Sequence, residues 1–262
     1  MLKMTKQSLS SKRPFARWQY ISQGQHPWMH VLHIQLALEA GASWVQLRLK
    51  KQPTEVVVAV GKIVAFLCEQ YGAIFILNDY LELVSEVKAD GVHLGLSDSS
   101  VLQARKLLGN QAIIGGTANT AEDLRSRILE GVDYIGLGPY RFTSTKEKLS
   151  PILGLEGYSK LMQSVVVKEN KTVPIYAIGG IAPLDIQPLL RVGLYGVAVS
   201  GFLSPQLAQF SFEGKEAFSV KRWQRYYENW LQVEGVAAAA GAIQEVREKV
   251  AQLTATIQNY SI

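Results

Sequence analysis

The sequence predicts one (β/α)8 TIM barrel with an additional C-terminal helical extension. From Trp18 onward, short runs of β-branched and aromatic residues alternate with longer amphipathic stretches, the pattern of successive βα units around a parallel sheet. Eight such runs are present, the number that closes a barrel. The chain of 262 residues, 48% of them hydrophobic, is long enough to bury one large core. An open, doubly wound sheet is the alternative, because periodicity alone does not establish closure.

The predicted strands and helices alternate along the chain. Strands are expected at 18–22, 43–48, 73–77, 91–94, 112–116, 132–137, 173–178 and 195–199, and helices at 28–40, 54–71, 80–88, 99–108, 120–130, 155–168 and 183–192. Thr120 suits an N-cap, Pro183 suits a first helical residue, and Gly41 suits the position just past a helix end. Residues 214–233 can supply the helix that closes the barrel.

Both ends of the chain are expected to lie outside the barrel. The predicted division is a basic disordered tail at 1–17, the barrel at 18–233 and a helical extension at 234–262. The tail has five cations and no acid, so the rest of the chain is close to neutral, which removes most of the case for a nucleic-acid groove. An organelle presequence is the alternative for this tail.

An apolar stripe in the extension repeats every three or four residues. It must pack on the barrel or on another subunit, so a homo-oligomer is possible. The stripe consists of Ile243, Val246, Val250, Leu253 and Ile257.

Composition also bears on where the protein works. No segment approaches the roughly 20 uninterrupted apolar residues of a membrane span, so no membrane partner is expected. The single cysteine, Cys68, cannot form an internal disulfide and lies in an apolar setting, which is typical of a reducing compartment. A cytoplasmic location is therefore predicted.

Polar residues follow nearly every predicted strand, where the loops of such a barrel form its active site. Gln46, Arg48 and Lys50 end the second strand, and the period of two directs all three toward the barrel mouth. The alternative is that both cations are simply solvated. That alternative is weaker for Arg48, because a strand that is covered by helices exposes few of its side chains to water.

Two carboxylates reach the same rim from neighbouring strands. Asn78 and Asp79 follow the third strand, and Asp98 follows the fourth. Adjacent carboxylates repel unless a cation neutralises them, and Mg²⁺ takes one or two carboxylates together with water and phosphate oxygens. Asp98 could instead be the N-cap of the helix that begins near Ser99.

Histidines give weaker signals. His26, His30 and His33 are spaced like metal ligands but lack an accompanying Cys or carboxylate motif. His93 is expected to be a packed residue at a strand end that could touch substrate.

Two further loops suit phosphate groups. The segment 138–146 offers hydroxyl groups at Thr143, Ser144 and Thr145 and the cations Arg141 and Lys146, which suit a diphosphate, although an ordinary polar loop could have this composition. Gly179 and Gly180 after the seventh strand, and Ser200 and Gly201 after the eighth, fit a second phosphate held mainly by backbone N–H groups.

The order of these segments resembles the thiamine-phosphate synthase family over roughly residues 18–203. The resemblance rests on QLRLK at 46–50, ND at 78–79, VHLG at 92–95 with Asp98, GPYRFTSTK at 138–146 and AIGGI at 177–181. It implies a (β/α)8 barrel, Mg²⁺ as cofactor, and a pyrimidine diphosphate and a thiazole phosphate as small-molecule substrates.

The resemblance also implies roles for individual residues. Gln46, Arg48 and Lys50 would contact the diphosphate, Asn78 the aminopyrimidine ring, and Asp79 and Asp98 the metal. Arg48, Thr117 and Lys146 would be catalytic, the last two by holding the departing pyrophosphate. Contacts to the thiazole phosphate would come from Thr143, Thr145, Gly180, Ser200 and Gly201.

The reaction implied by the resemblance is dissociative. Pyrophosphate leaves the pyrimidine, and the thiazole nitrogen captures the resulting carbocation, so no protein nucleophile is needed. This chain departs from the usual pattern at several positions. Thr117 stands where Ser is usual, Asn119 where His is common, and the segment around Ser200 is one residue short. Leu96-Ser97 and Tyr140-Arg141-Phe142 also differ from the family pattern.

Two other functions compete with this prediction. A thiazole tautomerase-like isomerase would use the same barrel but would need neither diphosphate nor metal, so Asn78, Asp79, Asp98 and Lys146 together argue against it. A non-catalytic, ligand-sensing barrel could use its extra C-terminal helix to dock a partner.

Overall fold

The computed structural model describes residues 15–142, 151–166, 173–205, 219–233 and 235–260. Eight parallel strands pair in chain order, and the eighth pairs with the first, so the sheet is a closed barrel. Closure excludes the open doubly wound sheet. The strands are β1 (Trp18–Ile21), β2 (Trp44–Leu47), β3 (Ile74–Asn78), β4 (Gly91–Leu94), β5 (Ile113–Ala118), β6 (Tyr134–Leu137), β7 (Ile175–Ile178) and β8 (Gly196–Val199).

Helices alternate with the strands and cover the barrel. They are α1 (Pro27–Glu39), α2 (Thr54–Tyr71), α3 (Val84–Val87), α4 (Val101–Leu108), α5 (Ala121–Glu130), α6 (Gly154–Leu161), α7 (Pro183–Arg191), α8 (Val220–Val233) and α9 (Gly235–Gln258). Short 3-10 turns lie at Leu81–Leu83 and Gly201–Leu203, and a π-helical turn at Met162–Val166 follows α6. Within the described ranges, no helix is long and apolar enough to cross a lipid bilayer.

Local chemistry explains several helix ends. The Thr120 hydroxyl accepts from the Asp123 N–H at 3.1 Å, and the Asp123 carboxylate accepts from the Thr120 N–H at 3.0 Å, a capping box that starts α5. Pro183 is the first residue of α7, where its missing N–H costs nothing. Gly41 follows the end of α1 with a φ of 105°, a conformation that favours glycine. All three predicted helix signals are confirmed.

Aromatic side chains fill the lower half of the barrel interior, the half toward the N-terminal ends of the strands. Trp44 of β2 meets Tyr134 and Tyr176 edge-on, with ring centroids 4.9 and 5.0 Å away. Phe15 stacks on Trp44 from below, at 5.0 Å. Gly115 leaves the space that the Tyr134 ring occupies, since a Cβ there would collide with it. The lower interior is therefore a packed core, and ligands are left with the upper end.

The three residues before β1 pack against the barrel. The Tyr195 hydroxyl donates to the Phe15 carbonyl at 2.6 Å and the Tyr176 hydroxyl to the Ala16 carbonyl at 2.7 Å, while the Arg17 guanidinium donates to the Tyr195 carbonyl at 2.8 Å. Residues 15–17, assigned to the disordered tail by sequence, thus belong to the barrel floor. The division at 1–17, 18–233 and 234–262 otherwise stays a prediction.

The last helix, α9, lies where a closing helix is required. It packs against α1, α7 and α8, so it fills the gap between the first and the last helices of the ring. Its predicted stripe faces the core: Val246 and Leu253 are fully buried, and Val250 and Ile257 nearly so. The stripe therefore packs on the barrel of its own chain. The sequence assigned closure to 214–233 instead, because order along the chain favours the nearer helix.

Helix α8 is the additional layer. It packs over α2 and over α1, where Trp223 stacks on Trp28 at 5.6 Å and donates its indole N–H to Gln35 at 2.6 Å. Tyr227 donates to Glu39 at 2.7 Å. The barrel, α8 and α9 surround α1. Every residue from 30 to 38 is therefore buried, including His30 and His33.

Candidate functional site

The upper end of the barrel interior is polar. Gln46 and Asn78 lie two residues after Trp44 and Ile76, which face the interior, so strand alternation points them to the same side. Both side chains are almost fully buried, and the Gln46 amide donates to Gln19 of β1 at 3.2 Å. The Asn78 amide nitrogen has no hydrogen-bond partner among the residues that the structure describes. A buried donor without a partner is costly unless a ligand or water satisfies it, so Asn78 is suited to contact a polar ligand.

A hydrogen-bond network connects this level of the barrel to Thr117. His93 of β4 lies between the Tyr134 hydroxyl and the Thr117 hydroxyl, with both nitrogen–oxygen distances at 3.0 Å. The expectation that His93 is a packed residue at a strand end is confirmed. It also fixes the Thr117 hydroxyl at the rim, a link between strands that the sequence did not reveal.

Cations and carboxylates from β2 and β3 meet at the mouth. The Lys50 ammonium lies 3.3 Å from an Asp79 oxygen. Arg48 is half-buried, and burial lowers the pKa of its guanidinium while the Asp79 charge opposes that shift. The predicted projection of Arg48 and Lys50 toward the mouth is therefore supported by their shared neighbour.

Asp79 and Asp98 are neighbours. Burial, followed by the charge of Asp98, raises the pKa of the Asp79 carboxyl, and Lys50 opposes the shift. Such a pair suits a divalent cation that neutralises both acids. Among the described residues, no group of three or more His, Cys, Asp and Glu side chains could hold a metal. A Mg²⁺ ion here would therefore have two carboxylate ligands and would complete its shell with water or phosphate oxygens.

Asp98 is not a helix cap. Helix α4 starts at Val101, and Ser100 is its N-cap, with a capping box to Gln103. The Asp98 carboxylate instead accepts from the Gly95 N–H at 2.6 Å, which holds it at the end of β4. The alternative interpretation of Asp98 is therefore wrong.

Arg127 supports this region from behind, and sequence reasoning missed it. Although it belongs to α5, it is 6% exposed and donates to the Thr117 carbonyl at 3.1 Å and the Gly95 carbonyl at 2.9 Å. It thereby joins the ends of β4 and β5, next to two predicted site residues. An isolated arginine in an amphipathic helix pattern is usually solvated, so no local signal indicated its role.

The second predicted phosphate site lies across the mouth. Gly179 and Gly180 follow β7 with φ values of 90° and 69°, which L-residues rarely adopt, and Gly180 is exposed. Ser200 is half-buried after β8, and its hydroxyl donates to the Gln23 side chain at 3.3 Å. Gly201, exposed, begins the 3-10 turn that follows.

Arg141 has a structural partner instead of a free guanidinium. Its two terminal nitrogens donate to the two Asp185 oxygens at 2.7 Å each, and one also donates to the Gly180 carbonyl at 2.7 Å. This bidentate ion pair joins the loop after β6 to the first turn of α7. The suggestion that Arg141 grips a diphosphate is therefore corrected. Thr143, Ser144, Thr145 and Lys146 lie outside the described residues.

The three spaced histidines do not form a metal site. His26 is exposed, whereas His30 and His33 are buried on α1 and bind the carbonyls of Gly24 and Gln23, at 3.2 and 2.9 Å. Their ring nitrogens hold the loop that follows β1. Asn119, at the position where His is common in the family, is also buried and donates its amide to the Gly138 carbonyl.

Comparison with known proteins identifies the family of this chain. The family model described as thiamine monophosphate synthase matches residues 24–203. A thiamine-phosphate synthase of Flavobacterium johnsoniae is 50% identical over 191 residues, covering 72% of this chain and 89% of the relative. For one from Flavobacterium psychrophilum, identity is 47% over 190 residues, with 72% and 92% covered. A solved thiamine phosphate pyrophosphorylase from Pyrococcus furiosus has a TM-score of 0.63 at 25% identity, covering 90% of this chain and 96% of that one. The chain therefore belongs to the thiamine monophosphate synthase family, whose members are transferases.

Proposed function

We propose that the protein condenses 4-amino-2-methyl-5-(diphosphooxymethyl)pyrimidine with thiazole phosphate, giving thiamine phosphate and pyrophosphate. The observation that supports this most strongly is the Asp79–Asp98 pair beside Lys50 and the half-buried Arg48, at the mouth of the barrel. A thiazole tautomerase would have no use for this combination of carboxylates and cations.

In the proposed reaction, the C–O bond between the pyrimidine methylene and the diphosphate breaks, and its electron pair leaves with pyrophosphate. The methylene cation then accepts the lone pair of the thiazole nitrogen, which forms the C–N bond. Catalysis on this scheme requires stabilising the charge on the leaving group and holding the two substrates in line.

Side chains from β2 to β5 are assigned to the diphosphate half. Gln46, Arg48 and Lys50 would contact the diphosphate. The Asn78 amide nitrogen, which lacks a partner within the described part of the chain, would hydrogen-bond the aminopyrimidine ring. Thr117, whose hydroxyl is fixed by His93, would bind the departing pyrophosphate together with Lys146. When bound at Asp79 and Asp98, Mg²⁺ would neutralise charge on the diphosphate.

The remaining strands are assigned to the thiazole phosphate. Gly180, Ser200 and Gly201 would bind it, mainly through backbone N–H groups, with Thr143 and Thr145 from the loop after β6. The exposure of the two glycines leaves their backbone open to a ligand.

The direct test is to incubate the purified protein with both substrates, with and without Mg²⁺, and to measure thiamine phosphate and pyrophosphate. Equal amounts of both products that depend on Mg²⁺ are expected. A folded protein that forms neither, beside a working control enzyme, would contradict the proposal and favour the isomerase or the ligand-sensing barrel.

A further inference from the structure

A cavity of about 250 Å³ opens between the loop after β1 and the end of β2. One wall consists of residues 22–26 of the loop together with Pro27 and His30 of α1. The other wall includes Arg48 and Lys50. The second wall is the part assigned to the diphosphate. The first wall has no assigned role, although it faces the same cavity.

Three hydrogen bonds in series connect this first wall to Arg48. The Arg48 backbone N–H donates to the Ser22 hydroxyl oxygen at 3.1 Å. Ser22 Oγ lies 2.8 Å from His30 Nδ1, and His30 Nε2 lies 3.2 Å from the Gly24 carbonyl. A carbonyl oxygen only accepts, so Nε2 bears a hydrogen, and in the neutral ring Nδ1 accepts from the Ser22 hydroxyl. The direction of every bond in the series is therefore determined.

Burial keeps the series intact. Ser22 is 1% exposed and His30 is 7% exposed, so water does not compete for their polar atoms. Burial lowers the pKa of His30 to about 4, so the ring stays neutral near pH 7. With the ring neutral, the Ser22 hydroxyl donates to His30 Nδ1 while its oxygen accepts from the Arg48 N–H, so one hydroxyl group links the two walls.

His33 provides an internal comparison. It lies one turn further along α1, is also buried, and binds the same loop at the Gln23 carbonyl. Among the described residues it makes no hydrogen bond to β2. A role limited to holding the loop would therefore give similar effects at His30 and His33, whereas a role in placing Arg48 would involve His30 alone.

We propose that Ser22 and His30 are positioning residues for Arg48: they fix the backbone from which its guanidinium reaches the diphosphate of the pyrimidine substrate. The proposal rests on the proposed function for the identity of that diphosphate. Neither residue touches the reacting atoms. Their substitution should weaken binding of the diphosphate and leave binding of the thiazole phosphate unchanged.

Two substitutions at one position separate the halves of the series. His30→Asn places an amide oxygen near the position of Nδ1, so it can still accept from Ser22. His30→Gln places an amide nitrogen near the position of Nε2, so it can still donate to Gly24 but loses the link to Arg48. We expect His30→Gln and Ser22→Ala to raise the KM for the pyrimidine diphosphate about tenfold. His30→Asn, and His33→Asn as matched control, should stay within about threefold of the native value.

The second readout does not require turnover. Binding of inorganic pyrophosphate in the presence of Mg²⁺, measured by calorimetry, should weaken about tenfold in Ser22→Ala and His30→Gln only. If the native protein binds pyrophosphate but forms no thiamine phosphate, the proposed function fails, and this binding series still decides the role of Ser22 and His30.

Three outcomes would overturn the inference. One is native-like pyrophosphate affinity in folded Ser22→Ala or His30→Gln. Another is an equal rise of both substrate KM values. The third is a native protein that does not bind pyrophosphate at all.

Discussion

The two halves of the barrel mouth are built by different chemistry. From β2 to β5 the polar groups are side chains that project from strand ends: Arg48, Lys50, Asp79, Asp98 and Thr117. From β7 to β8 the groups assigned to the phosphate are mainly backbone, at Gly180 and Gly201, and the Arg141–Asp185 ion pair holds this region in place. One half thus offers formal charge, and the other offers a backbone shape.

The difference suits two different phosphates. A leaving diphosphate gains charge during the reaction, so cations and a metal site are useful where it departs. A phosphate that is only held in place can be bound by fixed N–H groups. Substitutions in one half should therefore change the binding of one substrate and leave the binding of the other unchanged.

The largest effect is expected for Asp79→Asn. Asparagine tolerates the φ of 70° at this position as well as aspartate does, so the backbone should not change. Turnover should fall by roughly a hundredfold to a thousandfold with little change in thermal stability, because the proposed Mg²⁺ site loses one of its two negative charges. Steady-state kinetics at saturating Mg²⁺ and a melting curve measure both.

Glu82→Gln is the matched control for Asp79→Asn, since Glu82 is an exposed acid three residues further along the same segment. Its turnover should be native-like. Native turnover in Asp79→Asn itself would remove Asp79 from the site.

Acid should destabilise the fold through the buried histidines beside the diphosphate half. The pKa of His30 is about 4 in the folded protein and about 6.5 when unfolded, so its contribution is present above pH 6.5 and is lost as pH falls toward 4. Protonation of His30 alone should lower the free energy of unfolding by about 3 kcal/mol between pH 7.5 and 4. Burial lowers the pKa of His33 in the same direction.

Urea denaturation across this pH range tests the contribution of His30. The His30→Asn variant, which cannot titrate, should show a shallower loss of stability. Identical slopes for the variant and the native protein would show that His30 is not neutral and buried in solution.

A smaller and selective effect is expected for Arg141→Lys. Lysine lacks the planar fork, so it cannot bind both Asp185 oxygens and the Gly180 carbonyl. The KM for thiazole phosphate should rise about tenfold while the KM for the pyrimidine diphosphate stays native.

Arg125→Lys, at an exposed ion pair on α5, provides the control for Arg141→Lys because it keeps the same chemical change away from the mouth. An equal rise of both KM values in Arg141→Lys would break the separation of the two halves.

The smallest effect is expected for Thr117→Ser. Serine is the usual residue of the family here, and it keeps the hydroxyl that His93 binds at 3.0 Å. Turnover should change by less than about threefold, whereas Thr117→Val, which replaces the hydroxyl with a methyl group, should lower it about tenfold or more. If serine and valine behave alike in single-turnover measurements, the hydroxyl has no part in the reaction.

The sequence was most informative where the signal is local. The range 54–71 matches α2, and 91–94 matches β4, because apolar periodicity and helix ends are encoded in neighbouring residues. The positions of Asp79 and Asp98 could be predicted because carboxyl ends of barrel strands share one rim. The helix predicted at 80–88 is shorter in the structure. It consists of a 3-10 turn and α3, which lie between Asp79 and Lys88, two residues with left-handed backbone conformation.

Sequence was least informative where partners lie far apart along the chain. Arg127 donates to the Gly95 carbonyl, the Arg48 N–H to Ser22 and Gln46 to Gln19, pairs that are 32, 26 and 27 residues apart. No spacing rule predicts such pairs. The sequence also assigned the closing position of the barrel to α8, whereas α9 occupies it. Which helix fills the gap beside α1 depends on three-dimensional packing, so neighbouring residues do not encode it.

The most direct test of the separation of the two halves is equilibrium binding by calorimetry. Inorganic pyrophosphate and thiazole phosphate would each be titrated into native protein, Asp79→Asn and Arg141→Lys, with and without Mg²⁺. We predict that pyrophosphate binding requires Mg²⁺ and is lost in Asp79→Asn alone, while thiazole phosphate binding ignores Mg²⁺ and weakens in Arg141→Lys alone. If both ligands respond in the same way to Mg²⁺ and to both substitutions, the mouth is one undivided site and the account is wrong.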